Sequence, residues 1–161
     1  MDASATLTPT EGNRAAGPLR LVAESNGVRI TGTISGLAPD SKHGIHVHQT
    51  GDCGAPDASS AGGHFAPFSH PHGPPDSSGH VGDLGNITAN HAGIAYVDVL
   101  AARATLNPAT PTDISGRAII VHATADDLVS QPSGNSGARI ACGVIEARPA
   151  NGTQLDPVAG A

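Results

Sequence analysis

Val28, Ile30 and Ile34 alternate with Arg29, Thr31 and Thr33, and no stretch of the chain replaces this period of two with a helical period. Such alternation puts apolar side chains on one face of a strand and polar ones on the other. Glycine and proline, 21 and 13 of the 161 residues, cut the chain into short pieces. With no Trp, one Tyr and two Phe, the core must be mostly aliphatic. An all-β domain is the architecture these features favour.

Leu19-Arg-Leu-Val22 and Val28 to Ile34 flank Ser25-Asn26-Gly27, where the Asn-Gly pair accepts the positive φ angles of a tight hairpin turn. Gly44 to His48 alternates as well, Ile45 and Val47 against His46 and His48. Ile94 to Leu100, Gly116 to His122 and Arg139 to Ala147 are further strand candidates. Gln49 to Asn86, by contrast, is glycine-rich, poor in strand-like runs, and carries His64, His70, His72 and His80. Loops of that length inside a compact domain are usually functional. Ala123 to Ala138 is a second irregular segment, and the small, polar tail from Pro149 to Ala161 is expected to fray without a role. No repeat or linker divides the chain, so a single domain over 1–161 is expected, with its core over about 19–147.

Lys and Arg total 8 against 14 Asp and Glu, a formal charge of −6, and no basic cluster or aromatic platform appears. That argues against a nucleic-acid partner. No apolar run approaches the roughly 20 residues of a membrane span. Met1-Asp-Ala-Ser-Ala lacks the basic and apolar regions of a secretion signal, so a soluble protein or a mature form with a new start methionine is expected. The two cysteines, Cys53 and Cys142, form no Cys-x-x-Cys pair. One long-range disulfide, implying an oxidising compartment, or two buried thiols both satisfy the sequence.

His46 and His48, at i and i+2 on a strand, direct two imidazoles to one side, a rigid base for an ion. A sheet surface can also carry two histidines for no reason. His64, His72, His80 and Asp83 in and after the glycine-rich loop strengthen the reading, because three histidines and an aspartate suit a closed tetrahedral zinc site. His122, ending the run Ala118-Ile-Ile-Val121, would by itself be read as a hydrogen-bonded histidine at a strand end.

Together the blocks His46-Val-His48, Gly62-Gly-His64-Phe65, His72-Gly73, His80-Val-Gly-Asp83-Leu-Gly-Asn86, Val121-His122 and Gly134-Asn-Ser-Gly-Ala-Arg139-Ile-Ala-Cys142-Gly-Val-Ile145 resemble the copper/zinc superoxide dismutase family. They run in family order from about Leu19 to Ile145. The resemblance implies an eight-stranded Greek-key β-barrel or sandwich, immunoglobulin-like, with long metal-binding and active-site loops. It implies an oxidoreductase of antioxidant defence that converts two superoxide anions and two protons into dioxygen and hydrogen peroxide, cycling Cu(II) and Cu(I).

Carried over by position, the resemblance implies one copper ion held by His46, His48, His64 and His122. One zinc ion would be held by His64, His72, His80 and Asp83. His64 would bridge the two ions and carry a proton. Imidazole suits both metals, and the carboxylate goes to the redox-inert one. Asp126 would accept hydrogen bonds from His46 and His72, and Arg139 would attract the anion without ligating metal. Cys53 and Cys142 fall on the family's disulfide positions. His43 would hydrogen-bond near the copper strand, while His70 and His91 would be solvated.

The spacing from Gly51-Asp-Cys53 to His64, the step from His72 to His80, and Ser130-Gln-Pro132 resemble the bacterial branch, which implies a periplasmic or secreted protein. Departures are Ile45 for the usual Phe, Ala66 for the usual Asn, and a shortened loop between Asp127 and Arg139. Phe65 to Gly79 contains no lysine, so Arg139 is expected to carry most of the guidance. Dimerisation surfaces differ among branches, and the sequence does not choose between a monomer and a homodimer. Asn86-Ile-Thr88 and Asn151-Gly-Thr153 match a glycosylation pattern that a bacterial protein would not use. Two rivals fare worse. A metal-delivery domain should show a Cys-x-x-Cys pair or a missing ligand, and a dinuclear zinc hydrolase needs a bridging carboxylate or hydroxide and a general base.

Overall fold

A computed structural model of the chain describes residues 2–76 and 78–147. The tail from Pro149 to Ala161, with Asn151-Gly-Thr153, lies outside the described residues. The strands are β1 (Asp2–Pro9), β2 (Gly17–Glu24), β3 (Gly27–Ile34), β4 (Lys42–His48), β5 (Asp83–Thr88), β6 (Ala95–Ala102), β7 (Ala118–His122), β8 (Arg139–Val144) and the short β9 (Glu146–Ala147). They pair antiparallel in the order β5-β4-β7-β8-β1-β2-β3-β6, with β9 against β1. β5 and β6 approach each other across the remaining seam, so the sheet curls into a nearly closed eight-stranded barrel. Jumps such as β3 to β6 and β4 to β7 give it Greek-key crossovers. One three-residue helical turn, Ser59–Ala61, is the sole helix among the described residues.

Alternation fills the barrel. Leu19 and Leu21 of β2, Val28, Ile30 and Ile34 of β3, Ile45 and Val47 of β4, and Ile119 and Val121 of β7 belong to one buried aliphatic cluster. Burial of such side chains stabilises by roughly 1.5–3 kcal/mol each relative to exposure.

Two strands differ from the sequence reading. β1 precedes the expected start of the core, and its Ala3, Ala5 and Leu7 are buried while Asp2, Ser4 and Thr6 take the other parity. Alanine signals that alternation only faintly. β5 occupies the end of the expected loop, and five of its six residues are buried or half-buried because a loop covers its outer face. Gly85 there has φ +82°, which breaks the pattern further.

The hairpin also turns differently. Glu24 pairs with Gly27, leaving Ser25 and Asn26 as the turn, and neither has a positive φ. Gly27 is required because a Cβ there would collide with the Ala101 carbonyl of β6. The glycine permits strand approach, and the turn itself does not need it.

The loop between β4 and β5 and the loop between β7 and β8 fold over the outer faces of β4 and β7. Every residue of β7 is buried, and so is every residue of β4 after Lys42. Gly44 admits this cover: a Cβ there would stand 2.6 Å from Ser136 Oγ and 3.1 Å from Asp126 Cβ. A disulfide joins Cys53 to Cys142 across 89 residues of sequence and fastens the first loop to β8.

Candidate metal centre

His46 and His48 leave β4 on its outer side, under the covering loops, where they are 0% and 1% exposed. The ladders slip beside two of the histidines, between Gly44 and His46 against β5 and between Val121 and His122 against β8. Such bulges re-aim side chains. His64 is brought to the strand by a bridge with His48, and His122 closes the group from the end of β7. His46, His48, His64 and His122 each offer a donor atom within 4.8 Å of the others.

The hydrogen bonds fix which nitrogen each ring presents. His48 Nδ1 donates to Gly62 O at 2.7 Å, and His122 Nδ1 donates to Gly137 O at 3.2 Å. Carbonyls only accept, so both protons sit on Nδ1 and both Nε2 atoms carry lone pairs. Those atoms face one another at 3.3 Å. Burial pushes His48 down to about 2 and His122 down to about 3, so protonation does not relieve the contact. Two facing lone pairs repel unless a cation lies between them. His46 donates Nε2 to Asp126 Oδ2 at 2.8 Å, which leaves its buried Nδ1 without a partner, and His64 Nε2 is likewise buried and unpartnered. Four nitrogens are thus turned inward with nothing else to bind.

The second group gathers on one carboxylate oxygen. Asp83 Oδ1 lies 3.0 Å from His64 Nδ1, 2.8 Å from His72 Nδ1 and 3.3 Å from His80 Nδ1, and the last is 3.3 Å from His64 Nδ1. Donors about 2.0–2.1 Å from a tetrahedral zinc ion stand roughly 3.3 Å apart, so the set has the spacing of a zinc cage. His46, His64, His72 and Asp83 also lie within 4.8 Å of one another, since His46 stacks on His64 with centroids 3.8 Å apart. Asp83 Oδ2 accepts from Gly73 N at 3.0 Å and His80 N at 2.8 Å, which orients the carboxylate. Burial alone would raise Asp83, but bonds from His64, His72 and His80 hold it far below the ordinary carboxylate range. Burial pushes His64 down to about 4.

Asp126 joins the two groups. Its Oδ2 accepts from His46 and its Oδ1 accepts from His72 Nε2, both at 2.8 Å. These bonds hold Asp126 well below the usual range against the opposing effect of burial. Burial would lower His72 too, yet Asp126 and Asp83 on its two nitrogens raise it to about 9. Such outer partners set the tautomer and basicity of metal-binding imidazoles.

A cavity of about 310 Å³ opens beside these groups, lined by His48, His64, His122 and Arg139 among others. Arg139 donates Nη1 to Ala58 O at 2.9 Å, fixing its guanidinium at the rim. His43 donates Nδ1 to His122 O at 2.7 Å, a brace behind that ligand position. His70 is exposed, and His91 meets Asp40 Oδ2 at 3.2 Å on the surface.

Four supports have no role in the sequence reading. Gly62 O and Gly137 O orient His48 and His122 through the backbone, and backbone carbonyls leave no residue-type signal. Arg103, at φ +70°, donates Nη2 to Gly79 O at 2.9 Å beside His80. Asn86 lay in a motif without a role, and its amide grips the backbone of Asp126 on both sides, at 2.7 and 3.0 Å.

An antiparallel barrel bearing two adjoining donor sets, linked by one imidazole and one carboxylate, defines a dinuclear metalloprotein with a redox-capable nitrogen site. The profile of copper/zinc superoxide dismutases matches residues 15–145. The chain is 46% identical over 140 residues to a Cu-Zn superoxide dismutase of Paramecium bursaria Chlorella virus 1, covering 80% of this chain and 71% of that one. It is 41% identical over 139 residues to an extracellular Cu-Zn superoxide dismutase of Brugia pahangi, covering 80% and 68%. The crystal structure of a SOD-like protein from Bacillus subtilis superposes with a TM-score of 0.78 at 34% identity, covering 87% of this chain and 95% of that one.

The chain belongs to the copper/zinc superoxide dismutase family. Its activity is superoxide dismutation, its substrate is superoxide, and its cofactors are copper and zinc.

Proposed function

We propose that His46 Nδ1, His48 Nε2, His64 Nε2 and His122 Nε2 hold copper, and that His64 Nδ1, His72, His80 and Asp83 hold zinc. The facing lone pairs of His48 and His122 carry this reading, because only a cation makes that contact favourable. Copper, when bound, supplies one-electron chemistry in both directions, and zinc supplies charge without redox change.

The residues do the rest. His64 presents one nitrogen to each group, so its Nε2 is the atom placed to pass a proton at the cavity floor. Asp126 keeps His46 and His72 in the tautomers that leave their Nδ1 atoms for metal. Arg139 sets a positive charge at the mouth of a chain whose formal charge is −6, opposing the overall field where the anion enters. No lysine lines that cavity, so guidance rests on Arg139 and the rate should vary less with salt than in relatives with charged loops.

Metal analysis paired with a dismutation assay tests the assignment. The expected result is one copper and one zinc per chain, with His122→Ala losing copper and activity while keeping zinc. A variant that keeps copper would overturn it. For Arg139→Ala, kcat/KM should fall about tenfold and lose most of its salt dependence.

Export to the periplasm or the medium fits the disulfide, which persists in oxidising compartments, and fits the extracellular relative. Fractionation of cells expressing the native gene tests it, and activity confined to the cytoplasm would refute it.

A further inference from the structure

Gln131 makes a contact that the metal assignment does not use. His72 N–H donates to Gln131 Oε1 at 2.7 Å, and Gln131 Nε2 donates to His72 O at 2.8 Å. The two polar atoms of the backbone at His72 are thus paired with the two ends of one side-chain amide. An N–H must meet the amide oxygen and a carbonyl the amide nitrogen, so the partners fix the amide's orientation.

The contact joins two loops, and the loop that supplies it is built to present it. Asp127 Oδ1 accepts from Val129 N and Ser130 N, Gly134 N donates to Ser130 O, and Asp127 N donates to Gly134 O. This self-bonded turn carries Gln131, and Gln131 Nε2 is braced again on Val129 O at 2.8 Å. Gly134 then lies so close to Asp126 and His72 that a Cβ there would collide with Asp126 Oδ1. The same loop therefore holds the imidazole of His72 through Asp126 and its backbone through Gln131. The reverse clamp exists as well, since Asn86, beyond Asp83, pairs its amide with the backbone of Asp126.

We propose that Gln131 is a positioning residue for zinc, acting through the backbone of His72. Asp126 serves both donor groups, because it bonds His46 and His72, whereas Gln131 reaches only the zinc group. Its removal should loosen zinc and leave copper alone. Gln131 is itself exposed and its bonds to the His72 backbone are only part-buried, so water can take over much of the bonding and the net contribution to folding is small. The inference rests on the ligand assignment above.

The test uses the fully metallated protein and follows zinc and copper release to competing chelators. For Gln131→Ala, zinc release should quicken roughly 10- to 100-fold, the effect of losing an outer support. Copper release and the melting temperature of the metal-free variant should not change. Gln131→Glu keeps the shape and the bond to His72 N–H but sets an acceptor against His72 O, so it should also quicken zinc release. Zinc release within twofold of the parent in both variants would overturn the proposal. Equal quickening of both metals with a lowered metal-free melting temperature would also overturn it, by making Gln131 a general structural residue. His80→Ala is the control: unchanged zinc release there would indict the ligand assignment instead.

Discussion

β3 and β4 begin from the same pattern. Each alternates inward aliphatic residues with outward polar ones, yet Arg29, Thr31 and Thr33 of β3 reach solvent while His46 and His48 of β4 do not. The strands are not what differs. The loops 49–82 and 123–138 roof β4 and β7, and among the described residues no comparable segment covers β2, β3 or β6, where Tyr96 is 73% exposed. A barrel wall left bare needs only one apolar face. A roofed wall has a second, polar interior, and every group in it must be paired or bound to an ion.

The largest expected effect comes from loosening the roof. Replacing both cysteines, Cys53→Ser with Cys142→Ser, removes a closure of 89 residues, and in the chain-entropy account about 4–5 kcal/mol of stability goes with it. Denaturant unfolding of the metal-free protein measures it. Stability unchanged within 1 kcal/mol, by that account's roughly logarithmic dependence on loop length, would mean the roof holds without its fastening.

Next is the bare wall. Ile30→Ala should cost about 2–5 kcal/mol by opening a cavity in the aliphatic cluster. Folded protein should still bind both metals at parental stoichiometry, because no part of the donor set leans on that side.

Acidity separates the walls further. His48, His64 and His122 are pushed down to about 2, 4 and 3, so the unfolded chain takes protons first. Their contribution to stability is present above pH 6.5 and is lost as pH falls below it, through about 4 for His64, 3 for His122 and 2 for His48. Asp83 and Asp126 act in the same direction lower down. His72, raised to about 9, does the opposite: its contribution is full below pH 6.5 and is lost as pH rises through 9. The melting temperature of the metal-free protein should therefore peak near neutrality and fall on both sides. A flat profile between pH 4 and 9 would contradict this.

The smallest effect is on the open face. Arg29 pairs with Glu24 and Asp98 in solvent. Arg29→Ala should leave the unfolding midpoint, metal content and activity where they are.

Legibility followed the same division. The hairpin of β2 and β3, and the strands β4, β6, β7 and β8, could be read because their inward residues are large and branched and their outward ones differ in polarity. β1 relies on Ala3 and Ala5, too small to mark a face, and β5 is covered on both sides. In the metal centre, histidine spacing and family resemblance pointed to His46, His48, His64, His72, His80, Asp83 and His122. Of the atoms that orient them, the resemblance pointed to Asp126, but the others were not readable: Gly62 O and Gly137 O are backbone, and Gln131 grips His72 from 59 residues away.

The facing nitrogens of His48 and His122 have one more consequence. Repulsion between lone pairs is relieved by any divalent cation that accepts imidazole, and it does not discriminate. First-row metals bind such donors with affinities that rise to copper and drop again at zinc. Correct metallation is therefore a matter of supply: a chain folded where zinc abounds and copper is scarce should fill both positions with zinc. It would be a stable, well-ordered protein with no electron to exchange.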